Sequence, residues 1–166
     1  MKIRKENAIT LISLAITVIV ILIISSVATY SGKEIIRKGK LEELRTNMLL
    51  IQAKAKEYVE DANFRMGLAP DETRKEEVRR SVYVDGAKLE KVNAQEYGID
   101  NSSVCYKVTK ETLNIWGLDK IELKDNEDYL IAFDDENATV EIYNTKGFVD
   151  DNGDTRNSLT DIEEIR

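Results

Sequence analysis

Apolar and polar positions divide this chain into three regimes. From Asn7 to Gly32 no residue is charged, and the stretch Ala8-Ile-Thr-Leu-Ile-Ser-Leu-Ala-Ile-Thr-Val-Ile-Val-Ile-Leu-Ile-Ile-Ser-Ser-Val-Ala28 is apolar on every side. After Tyr30 the apolar positions thin to a stripe: Leu41, Leu44, Met48, Ile51, Ala55, Tyr58 and Ala62 are spaced alternately three and four apart, with Glu42, Glu43, Arg45, Lys54, Lys56, Glu57 and Glu60 between them. Spacing of that kind places one narrow apolar line on a helix. Beyond Asn63 the apolar residues come in short blocks separated by turn-forming residues.

The first regime reads as a membrane helix. At about 1.5 Å per residue, residues 8–28 reach roughly 30 Å, the thickness of a bilayer's hydrocarbon core. Its β-branched residues favour a strand in water, but a lone strand in lipid leaves its backbone groups unpaired, so length and the lack of turn signals point to a helix. A cleaved secretory signal has a shorter apolar core and a small-residue cleavage site; Ser25-Ser26-Val27-Ala28 is the nearest approach to one. No proline occurs before Pro70, so one helix is predicted from about residue 8 to about residue 62, with Gly32 and Gly39 as points of local weakness. The stripe serves as a contact to the soluble part or as a coiled-coil seam with another chain.

The third regime predicts an α+β head with a small antiparallel sheet. Asn63–Glu72, with Gly67 and Pro70, reads as an exit loop, and Thr73–Arg80 as a helical turn. Gly86–Tyr97 reads as a helix carrying Leu89, Val92 and Tyr97, and Val104–Val108 as a strand. Thr109 with Thr112 and Leu113 signals a short capped helix ending near Gly117, and Trp116 reads as core. Tyr129–Phe133 and Ala138–Tyr143 form a hairpin about Asp134-Asp-Glu-Asn137, Lys146–Val149 adds a strand, and Leu159–Ile165 closes the chain as a helix.

Charge follows the same division. Residues 1–62 carry net +3 and residues 63–166 net −10. So acidic a domain repels phosphate backbones, and no nucleic-acid contact is expected. Basic residues flank the apolar run on both sides, Lys2, Arg4 and Lys5 before it and Lys33, Arg37, Lys38 and Lys40 after it, so charge asymmetry does not set orientation. The short basic tail places the N-terminus in the cytoplasm and the head outside, as a single-pass protein of the cell membrane.

Candidate chemistry is sparse. The chain has no histidine, which removes Ser-His and Cys-His nucleophile systems and His-based zinc sites. The single cysteine, Cys105, reads as a small buried hydrophobe. Asp150-Asp-Asn-Gly-Asp154 is similar to half of a calcium loop, with Asp150, Asn152 and Asp154 as candidate oxygen ligands and Asp161 where a closing acid would fall; an acidic turn is the simpler reading. Asp134, Asp135 and Glu136 read as a solvated turn rather than an acid–base pair. No cofactor and no enzymatic activity are expected.

One resemblance organises these features. The basic residues Lys2, Arg4 and Lys5, followed by Ala8-Ile9-Thr10-Leu11-Ile12-Ser13-Leu14, resemble the class III leader of type IV pilins and type II secretion pseudopilins. In that family a basic leader is cut after Gly or Ala, the mature chain opens Phe-Thr-Leu-Ile-Glu, and an apolar helix continues into an amphipathic one packed on a β-rich head. The resemblance implies cutting between Ala8 and Ile9 by a prepilin peptidase, with Thr10, Leu11 and Ile12 matching directly. Ser13 stands where the family has the glutamate that registers subunits, and in this the run is similar to pilin-like proteins of low-GC Gram-positive bacteria that lack it. The implied organisation is a leader over 1–8, a transmembrane helix over 9–30, an amphipathic stem over 31–62 and a head over 63–166. The implied partners are the membrane, like subunits or other pilin-like proteins, and the peptidase. The implied function is a structural subunit of a cell-surface filament or secretion apparatus; the alternative is an uncleaved, membrane-tethered binding or sensing module.

Overall fold

The computed structural model describes residues 3–69, 71–99, 104–134 and 139–165, with side chains in the first helix described at 17–22, at 25 and from 32 onward. The fold is α+β: a long helix, α1 (Ile3–Met66), and a five-stranded antiparallel sheet. Two compact units are present, Met1–Glu42 and Glu43–Arg166.

Within the second unit, α1 runs four residues past its predicted end, because Asn63-Phe-Arg-Met66 contains no helix breaker. It stops at Gly67, whose N–H donates to the Asn63 carbonyl. The stripe from Leu44 is buried as predicted at Met48, Ile51, Ala55 and Ala62, and it extends to Met66. Val59 rather than Tyr58 fills the fully buried place; Tyr58 stays half-buried and packs its ring 5.6 Å from that of Trp116.

After the exit turn, Asp71 caps helix α2 (Glu72–Arg79) by accepting from the Arg74 N–H. The helix does not end there but widens into a π-helical stretch, Arg80–Gly86. The predicted helix over Gly86–Tyr97 is overturned: in its place stand strand β1 (Glu90–Val92) and a short 3-10 turn (Ala94–Tyr97) capped by Asn93. The apolar residues that suggested helical spacing there serve two elements. Leu89 is buried at the end of the π turn, and Val92 packs beneath the sheet.

The sheet is a meander in the order β1-β2-β3-β4-β5, with β2 (Val104–Lys107), β3 (Tyr129–Asp134), β4 (Thr139–Val149) and β5 (Thr155–Ser158). The predicted strand at Lys146–Val149 is the far half of β4, separated from the near half by an irregularity between Tyr143 and Phe148. The predicted turn at Asp134–Asn137 lies largely outside the described residues. Between β2 and β3, Thr109 and Thr112 form a capping box on helix α3 (Lys110–Ile115), and Gly117 comes after it with positive φ. The chain closes with α4 (Leu159–Glu164), capped by Ser158.

Every residue from Tyr129 to Phe133 is buried, so β3 is covered on both faces, which is why its sequence is a continuous apolar run rather than an alternation. Register pairs Cys105 with Ala132 and Leu130 with Tyr143; these residues meet Ala94, Ile99, Val92 and Tyr97 in a small cluster on one face. The other face receives α1, where Gln52 Nε2 donates to the Val140 carbonyl at 3.1 Å, and Tyr83 from the π turn, which stacks on Phe133 at 4.2 Å and 7°.

Candidate functional site

The residues that bear on chemistry or contact lie in four places. The first is the turn between β4 and β5. Asp150 folds its own loop: one carboxylate oxygen accepts from the N–H groups of Asn152 and Asp154, both at 2.9 Å, and the other accepts from Arg156 Nε at 2.9 Å. The Asp150 N–H donates to the Asp154 carbonyl, and Gly153 supplies the positive φ the turn requires. Partial burial pushes the Asp150 carboxyl up, but the Asp154 amide, the Arg156 guanidinium and the Asn152 amide outweigh it and hold it below the usual carboxylate range. Both Asp150 oxygens are therefore engaged in closing the hairpin, while Asn152 and Asp154 are exposed. Asp161 sits in the first turn of α4, its N–H donating to Ser158 Oγ. Among the described residues, no group of three or more His, Cys, Asp or Glu is placed to hold a metal ion.

The second place is the leader and anchor. Ala8 and Ile9 of the processing bond, and Thr10, Leu11, Ile12, Ser13 and Leu14 after it, fall within α1, and their side chains lie outside the described residues. Where side chains of the apolar run are described, Val18 to Leu22 are each about half exposed. Among the described residues, no helix is long and apolar enough to cross a membrane.

The third is a pair of groups that could in principle react. Cys105 is buried in the smaller cluster, and desolvation raises its thiol, which disfavours the thiolate. Lys107 Nζ donates to Asp128 at 2.9 Å; that hydrogen bond, more than any other contact, raises the Lys107 ammonium and keeps it charged. An amine held protonated and a thiol held neutral are both poor nucleophiles. Asp134, Asp135 and Glu136, the other acidic group, fall outside the described side chains.

The fourth has no counterpart in the sequence reading. At the end of α1, Phe64 and Leu68 are 72% and 76% exposed. Leu68 lines an open groove of about 340 Å³ with Arg65, Ala69, Arg74 and Val78. Phe64 falls off the buried stripe of α1 and Leu68 lies in the turn after it, and a large apolar side chain at an off-stripe helix position or in an exit turn is the signal that marks each. Arg65 and Arg74 are engaged with Asp61 and Glu77, so the groove's rim is charge-balanced.

No known protein family, no curated protein and no solved structure matches this chain.

Proposed function

We propose that this chain is a pilin-like or pseudopilin-like structural subunit, anchored in the cell membrane by residues 9–30 and presenting its acidic head outside the cell. The observation that carries this reading is one of order: basic leader, charge-free apolar run, and a helix that continues without proline into the core of an antiparallel-sheet domain. A helix of this kind joins two solvents. Its first part satisfies its backbone internally, as lipid demands, and its last part is stabilised by side-chain packing on the sheet.

In this reading a prepilin peptidase cuts between Ala8 and Ile9, and assembly proceeds with like subunits or other pilin-like proteins. Mass spectrometry of the protein isolated from membranes tests it. A mature terminus at Ile9, methylated on its new amine, supports the subunit; a terminus at Met1 overturns the processing step. Ser13 favours a second reading, an uncleaved tether for a binding or sensing module, because the chain lacks the carboxylate that would register it against a neighbour. Filaments sheared from cells and containing the head discriminate the two.

A further inference from the structure

We infer that residues 33–40 of α1 form a headgroup-binding collar: Lys33, Arg37 and Lys38 engage anionic phosphate headgroups of the bilayer, and Lys40 adds to the positive field beside them. The inference rests on the anchor reading above and adds to it a lipid preference.

Helical spacing sorts this segment sharply. At about 100° per residue, Lys33, Arg37 and Lys40 fall within roughly 60° of one another, while Gly32, Ile35, Ile36 and Gly39 share the neighbouring arc. Ile35 is 70% and Ile36 62% exposed, and a Cβ built on Gly32 or Gly39 meets nothing within 4 Å, so within this compact unit the apolar arc is bare. The segment holds four cations and one anion, Glu34, whose 2.9 Å contact with Lys38 is an exposed (i, i+4) pair that exchanges readily with other anions.

Position along the helix agrees. Lys33 lies five residues beyond Ala28, about 7 Å along the axis, and the headgroup layer is roughly 5–8 Å deep on each side of the hydrocarbon. Long Lys and Arg side chains reach several ångströms further, which brings Arg37 and Lys38 to the same layer and leaves Lys40 within a screening length of it. The collar also accounts for an oddity of the sequence: positive charge on both flanks of the apolar run cancels as an orientation signal, so the second cluster needs another role.

The test offers the full-length protein, as it leaves detergent, an equal mixture of dense phosphatidylcholine vesicles and light vesicles with about a third phosphatidylglycerol, and measures by flotation how it divides between them. The preference for the anionic vesicles is compared between wild type and the variant K33Q/R37Q/K38Q/K40Q. The expected preference is at least about tenfold larger for wild type at low salt, and the difference collapses near 1 M salt, where screening is complete within about 3 Å. The variant K33R/K38R/K40R, which keeps charge, keeps the preference. Equal preferences for wild type and the glutamine variant overturn the collar while leaving the anchor intact. Failure of every form to associate with either vesicle overturns the anchor and the collar with it.

Discussion

Arg45 on α1 reaches the end of the chain: its Nη2 donates to the Ile165 carbonyl at 2.8 Å and to the Ile162 carbonyl at 3.0 Å. A six-residue helix such as α4 is far too short to persist alone, and at its end the Ile162 carbonyl meets only the Ile165 N–H, at 3.3 Å. The guanidinium adds a donor there and places positive charge at the negative end of the helix. Arg45→Met is expected to cost about 1.5–3 kcal/mol, the range for hydrogen bonds made by a charged group. Arg45→Lys should recover only part of it, since one ammonium cannot serve both carbonyls with the same geometry. Urea unfolding measures the loss, and amide exchange at Leu159–Ile162 should rise well before that of β3.

The irregularity in β4 depends on Gly147. Asn144, fully buried, turns its side-chain oxygen back to accept from the N–H groups of Lys146 and Gly147, while Asn157 donates to the Asn144 carbonyl. Gly147 holds φ +65°, and a Cβ there would lie 2.6 Å from the Arg156 carbonyl oxygen. Gly147→Ala therefore combines left-handed strain with a backbone clash and should cost about 3 kcal/mol. Gly153→Ala is the control: φ is +88° but nothing lies within 4 Å, so only the conformational term, about 1 kcal/mol, applies. Equal losses in thermal or urea unfolding would show that the clash is relieved by movement of β5.

Tyr83 joins the π-helical stretch to the sheet. Its ring lies parallel to Phe133 and edge-on to Tyr106 at 5.4 Å, and the side chain is 1% exposed. Tyr83→Ala removes a large buried ring between two others, and a loss of about 3–5 kcal/mol is expected. Near-ultraviolet circular dichroism should weaken along with stability, because the aromatic trio loses its fixed geometry; a spectrum like wild type would contradict the stack.

Acid should loosen the β4–β5 hairpin through Asp150. Its folded carboxyl lies below the ordinary value, so the stabilisation is present above the unfolded pKa, near 4, and disappears as pH falls through the lower folded pKa. Asp150→Asn should be less stable than wild type at neutral pH, and the two should converge as pH falls through the lowered folded value. Unfolding midpoints tracked from pH 7 downward report the convergence; parallel curves would place the acid sensitivity elsewhere.

Much of the fold is legible along the chain because it is local. The α1 stripe, the Thr109–Thr112 cap, the β3–β4 pairing and the closing helix each arise from spacing or capping between residues close in the chain. The π-helical stretch and β1 were not legible, since Val82, Tyr83, Leu89 and Val92 are placed by residues far off in sequence. The acidic turn shows the same limit at a site: Asp150-Asp-Asn-Gly-Asp154 reads most simply as an acidic turn, with Asp150, Asn152 and Asp154 as weaker candidate ligands, and only Arg156 folding back reveals where the carboxylate of Asp150 is used.

What the sequence by itself determined is where along α1 the charge-free apolar run gives way to a narrow apolar stripe, because hydropathy depends on composition and spacing and not on neighbours distant in the chain. What only the tertiary structure decided is which side chains of the head are spent on holding it together. Arg45, Gln52, Asn144 and Asp150 look interchangeable with other polar residues until folding brings a carbonyl, an amide or a guanidinium within 3 Å or so of each. Hydrogen bonds act only over that short range, so their partners are fixed by the packed chain and not by its order.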